Sequence, residues 1–87
     1  MPTVFLPAGL SKLTGGISPL EVAGRTVREV IHNLDHTWPG IGEHLVEQDR
    51  LRGGISVAVD GEVSPVGLLQ IVEAESEIHF VAAIAGG

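Results

Sequence analysis

The 87-residue chain contains no cysteine. That excludes disulfides, thiolate metal sites and a cysteine nucleophile, while leaving the cellular compartment open. Aromatic residues make up only 3% of the chain, two Phe and one Trp with no Tyr, so a core must be assembled from Val, Ile, Leu and Ala. Cationic side chains are scarce as well: five Lys and Arg face eleven Asp and Glu, a net charge of -6. This is the wrong sign for gripping a phosphate backbone or an anionic lipid surface, so neither a nucleic-acid nor a membrane role is expected. No apolar run approaches the ~18 residues of a membrane span, and no cationic, apolar leader opens the sequence. The default expectation is a cytoplasmic protein.

What is present argues for folding. Hydrophobic residues are 44% of the chain and charged residues 18%, a balance that can bury enough apolar surface to offset chain entropy. The length suits one small domain over residues 1–87 with a single core.

Local patterns divide the chain into elements. Thr3 to Leu6 is a β-rich run closed by Pro7, and Ile17 to Val22 is a second extended run after Thr14-Gly15-Gly16, so the two predict a hairpin with a long loop. Thr26 and Glu29 fit a capping box, and Val27, Val30, Ile31, Leu34 and Trp38 recur at helical spacing. One amphipathic helix follows, ended by Pro39-Gly40. Ile41 to Val46 suits one further helical turn. Ile55 to Val59, the Asp60-Gly61 turn and Glu62-Val63 form strand, turn and short strand. Ile78 to Val81 is a last strand.

The economical packing of this order is an α+β arrangement, a mixed sheet of four to five strands wrapped over one long helix, with the last strand central and parallel to the first. Alternation then turns Val4, Leu6, Ile78 and Phe80 toward the helix and Phe5, His79 and Val81 away from it.

The ending Ala85-Gly86-Gly87 has no folding rationale, since two glycines maximise backbone entropy, bury no side chain and stand where termini fray. Their physical use is narrowness: peptide units without Cβ atoms can enter a tight channel in another protein and present a carboxylate there. The Gly87 carboxylate is therefore the expected working group, with Gly86, Ala85 and Ile84 threading behind it. A tail of residues 82–87 can reach roughly 20 Å at ~3.3–3.6 Å per residue.

These residues together resemble the ubiquitin-like β-grasp sulfur carriers of thiamin, molybdopterin and cysteine synthesis, the ThiS/MoaD-like proteins. The resemblance runs from Leu13-Thr14-Gly15-Gly16 through Thr26-Val27-Arg28-Glu29 to Ala85-Gly86-Gly87. Leu13-Thr14-Gly15-Gly16 and Pro39-Gly40-Ile41 are most similar to the cysteine-synthesis branch. The resemblance implies a carrier that is not itself an enzyme and holds no permanent cofactor. An E1-like enzyme would use ATP to adenylate Gly87, a sulfur donor would displace AMP to leave a thiocarboxylate, and a cysteine synthase-like, molybdopterin or thiazole synthase would accept the sulfur. A modifier joined to lysines through the same carboxylate is the alternative. Where relatives often carry Pro before the final Val-Ala-Gly-Gly, Ala82-Ala83-Ile84 stand here, which predicts a less stiff tail.

Other features are weighed against plainer readings. Phe5, Ala58, His79 and Val81 form a candidate docking patch if they prove contiguous, against the ordinary scatter of apolar residues on any surface. Glu73, Glu75 and Glu77 are candidate docking residues for a basic partner, on a strand face or in a turn, against simple solvation. His32 and His36 are four apart, but no Glu follows the first His as the metalloprotease pattern needs. A solvated helix face is the better reading, and no metal site is expected. Trp38 reads as a core plug, and Gly53-Gly54 as a flexible strand entry.

Overall fold

Val4 and Ile78 lie side by side on parallel strands, both fully buried, and the rest of the molecule is arranged around that pair. The computed structural model describes residues 1–82. The sheet elements are β1 (Thr3–Phe5), β2 (Leu20–Glu21), β5 (Ile55–Val59), β6 (Glu62–Val63) and β7 (Glu77–Ala82). They form one five-stranded sheet in the order β2-β1-β7-β5-β6. β7 is central, parallel to β1 and antiparallel to β5, so the expected mixed β-grasp sheet is present.

The helix α2 (Val27–Thr37) forms where the spacing predicts it. Thr26 caps it, its hydroxyl accepting from the Glu29 N–H at 3.2 Å. Glu29 Oε1 accepts from the Arg25 N–H at 3.1 Å, closing the box one residue earlier than usual. The helix stops at Thr37, and Trp38 leaves the helical region with φ -125° and ψ 78° while packing half-buried against the core. Val27, Val30, Ile31 and Leu34 are buried against Val4, Val57, Ile78 and Phe80 of the sheet. Each such side chain contributes about 1.5–3 kcal/mol on leaving water, so this seam holds helix and sheet together.

α3 (Ile41–Leu45) supplies the expected extra turn and buries Ile41 and Leu45. Asp35 fixes its start, Oδ1 accepting from the N–H groups of Gly40 at 3.1 Å and Gly42 at 2.8 Å. Gly24 lets the chain pass close under α2: a Cβ there would lie 2.6 Å from Val30 Cγ2 and 2.8 Å from the Val30 nitrogen.

The structure adds elements beyond the sequence expectation, lengthens the last strand and trims the first two. β1 ends at Phe5 rather than Leu6, and β2 is confined to Leu20–Glu21 within the run expected over Ile17 to Val22, the Ile17 carbonyl being taken by the Thr14 hydroxyl in the loop. The loop between β1 and β2 holds a short helix, α1 (Ala8–Ser11), and a 3-10 turn at Lys12–Thr14. Buried Thr14 anchors it, its hydroxyl lying 2.9 Å from the Ser11 carbonyl and 2.6 Å from that of Ile17. β3 (Val46–Glu47) and β4 (Arg50–Leu51) make a separate small hairpin. The last strand begins at Glu77 and continues through Ala82, which pairs with Ile55. Ala82, expected as the first tail residue, is thus held in the sheet by cross-strand pairing.

Candidate functional site

The helix-free face of the sheet carries the candidate docking residues. Parallel pairing sets Phe5 of β1 beside His79 of β7, and antiparallel pairing sets Ala58 of β5 on the other side of His79. The Phe5 and His79 rings stack at a centroid separation of 4.2 Å, with 1° between their planes. Three of the four expected patch residues therefore form one continuous row across the sheet. Val81, opposite Ser56 and 53% exposed, lies one step along β7 on the same face.

The row extends to Val63, which pairs with Ala58 on β6 and is 71% exposed. Sequence reasoning missed it, although counting out from the Asp60-Gly61 turn places Val63 opposite Ala58 and so on the same face. Leu6 and Val59 take the opposite side and pack against the core.

The acidic residues occupy the other end of β7. Glu77 opens the strand, and Glu73 and Glu75 lie in the turn before it, where the Ser76 hydroxyl accepts from the Glu73 N–H at 2.8 Å. Of the two settings considered for these glutamates, the turn holds Glu73 and Glu75 and the strand face holds Glu77. Five residue steps separate Glu77 from Ala82, about 16 Å at strand rise, so the structure does not bring the glutamates into the Phe5–His79 row.

Glu21, Asp60 and Glu62 join them. Thr3 pairs with both Glu21 and Glu77, the Glu77 N–H donates to Asp60 Oδ1 at 2.9 Å, and Glu62 pairs with Val59. Six exposed carboxylates thus crowd one end of the sheet. The ion pairs among the described residues, Arg28–Asp49 and Arg52–Glu47, involve none of the six. Lys12 and Arg52 belong to connections at the opposite end, where β7 reaches Ala82.

Elsewhere the geometry is plainer. Arg28 donates a hydrogen bond to Asp49, which together with charge attraction holds the Asp49 carboxyl below the usual carboxylate range and raises the Arg28 guanidinium. Both side chains are solvent-exposed, where α2 meets the β3–β4 hairpin. His32 and His36 are exposed on α2. Among the described residues no helix is long and apolar enough to cross a membrane. Ile84, Ala85, Gly86 and Gly87, the expected threading and reacting residues, lie outside the described residues.

Solved structures share this architecture. A chain of the Amycolatopsis orientalis BexX/CysO complex is 33% identical with a TM-score of 0.91, covering 100% of both chains. Mycobacterium tuberculosis CysO, described as an antigen, is 25% identical with a TM-score of 0.88, over 97% of this chain and 100% of that one. Small archaeal modifier protein 1 from Methanosarcina acetivorans, 23% identical with a TM-score of 0.82, covers 99% of this chain and 95% of its own and shares the fold. No curated protein matches the chain. The model of the ThiS family matches residues 4–87, and the chain therefore belongs to that family of ubiquitin-like sulfur carriers.

Proposed function

We propose that the chain carries sulfur on its C-terminal carboxylate. The observation that supports this reading best is that the family match runs through Gly87 and that the central strand, paired as far as Ala82, the last described residue, is the element that precedes this end in the sequence. Five small or apolar residues, Ala83-Ile84-Ala85-Gly86-Gly87, follow that strand in the sequence. They can span at most about 17 Å.

A carboxylate is a poor electrophile until it gains a leaving group. An E1-like enzyme supplies one: a Gly87 oxygen attacks the α-phosphorus of ATP, pyrophosphate departs, and an acyl-adenylate forms. A hydrosulfide-level sulfur nucleophile then attacks the carbonyl carbon, the C–O bond to AMP breaks with its electron pair leaving on AMP, and loss of the proton on sulfur leaves a thiocarboxylate with no change of oxidation state. The thiocarboxylate is a soft nucleophile that passes sulfur on without freeing sulfide. The row of Phe5, His79 and Ala58, with Val81 beside it, is the docking surface for the activating enzyme, because it crosses β7, the strand that leads to the tail.

The sulfur acceptor is a synthase, and the likeness to CysO favours cysteine synthesis over thiamin or molybdopterin synthesis. That a CysO chain occurs in a complex supports an acceptor that binds the carrier directly. The test is the intact mass after incubation with the activating enzyme, ATP and a sulfur source. Replacing one carboxylate oxygen by sulfur raises it by about 16 Da. Recovery of Gly87 in amide linkage to lysines of other proteins, with no such gain, would instead support a protein modifier.

A further inference from the structure

Val63 and Ile71 are 71% and 69% exposed, and they line one groove of about 330 Å³. Large apolar side chains held this far into water on the same groove call for a partner. Their surroundings are fixed. The Ser64 hydroxyl donates to Gln70 Oε1 at 2.7 Å, Gln70 Nε2 donates to the Ile71 carbonyl at 3.0 Å, and the Asp60 N–H donates to the Glu77 carbonyl at 2.9 Å. The groove is thus built by hydrogen bonds within the fold. Pro65 adds a further apolar wall, and Asp60, Glu62 and Glu73 bring three carboxylates, none of them in an ion pair among the described residues.

A groove of mixed lining, with Val63, Pro65 and Ile71 as apolar walls beside the carboxylates of Asp60, Glu62 and Glu73, matches one side-chain chemistry. A long aliphatic stem packs on Val63, Pro65 and Ile71 while a cationic head meets the acids. Arginine fits better than lysine, since its planar fork engages two carboxylate oxygens together and is more weakly hydrated. We infer that this groove is a second docking site, for an arginine-bearing segment of a protein partner. Its biological setting rests on the carrier reading. The groove flanks the Glu77 end of β7 and adjoins the Phe5–His79 row at Val63, so a partner seated here meets the carrier beside the surface assigned to the activating enzyme.

The full chain, labelled with ¹⁵N, is titrated with a capped Gly-Arg-Leu-Arg-Gly peptide and separately with its lysine counterpart. The expected result is saturable shifts confined to residues 62–64 and 70–73, stronger with arginine and weakened by salt. The Glu62→Gln/Glu73→Gln variant should bind at least about fivefold more weakly, with a melting temperature unchanged or raised by relief of like-charge repulsion. Diffuse, unsaturating shifts over all six carboxylates, or equal binding by the variant, would overturn the inference and leave a solvated acidic surface. No ATP or activating enzyme is present, so failure here leaves the Gly87 chemistry untouched, and failure of that chemistry leaves this titration untouched.

Discussion

Phe5 and His79 stack ring on ring, 4.2 Å between centroids and 1° from parallel, on the neighbouring parallel strands β1 and β7. A flat aromatic platform therefore stands on the exposed face of the strand that leads to the tail. Paired aromatics with this geometry contribute beyond their buried area.

Removing that platform should weaken docking without unfolding the protein. The double variant Phe5→Ala/His79→Ala is expected to lower kcat/KM for adenylation at least tenfold, about 1.4 kcal/mol, as loss of a central anchor does. A rise in KM with little change in kcat identifies the loss as docking. Steady-state kinetics with the activating enzyme measure it, and circular dichroism confirms that the fold persists.

Gly24 marks the tightest backbone approach to α2. Gly24→Ala would push a methyl group against Val30 Cγ2 and the Val30 nitrogen, and backbone cannot rotate aside as a side chain can. The expected cost is about 1–3 kcal/mol. For a domain of this size, thermal denaturation should register roughly 4–8 °C per kcal/mol.

Lys12 is the sole lysine, the other cationic residues being Arg25, Arg28, Arg50 and Arg52. If the carrier also forms isopeptide bonds, lysine-linked copies of itself can be joined only there. Lys12→Arg should abolish every such adduct while leaving sulfur loading unchanged. Peptide mass mapping that finds a lysine-linked chain in the variant preparation would contradict this assignment.

The Arg28–Asp49 pair has a pH signature of known sign. Asp49 titrates lower in the folded state than in the unfolded chain, so its stabilisation is present above the ordinary carboxylate value near 3.8 and is lost as pH falls through the lowered one. Wild type should melt slightly above Asp49→Asn at pH 7, and the gap should close on acidification below about pH 4. Solvent screening of this surface pair keeps the gap small. A gap that widens in acid would mean another group is responsible.

The helix, the β5–β6 hairpin and the parity of the last strand were legible because each carries its own local signal. Thr26 and Glu29 cap α2, and Asp60-Gly61 turns with positive φ at both residues, 51° and 88°, as that dipeptide predicts. α1 was not legible because it buries no residue and so has no apolar period to read. The β3–β4 hairpin turns through Gln48 and Asp49 at φ 51° and 62°, and Gln48 is not a residue that signals such a turn. Alternation placed Phe5 and His79 on one face, but only the cross-strand register makes them touch. The glutamates show the reverse limit: their every-second spacing resembles a strand, yet the bonds between Glu73 and Ser76 bend two of them into a turn.

The central claim, that the Gly87 carboxylate is what this fold delivers, is tested most directly by ATP–pyrophosphate exchange with the activating enzyme. Exchange requires a reversible acyl-adenylate on the carrier. The full chain should support it, and a chain ending at Ala85 should not, while both are expected to melt at the same temperature, since the buried core of the described residues lies within residues 2–80. Exchange sustained by the shortened chain, or none with the intact one, would contradict the account.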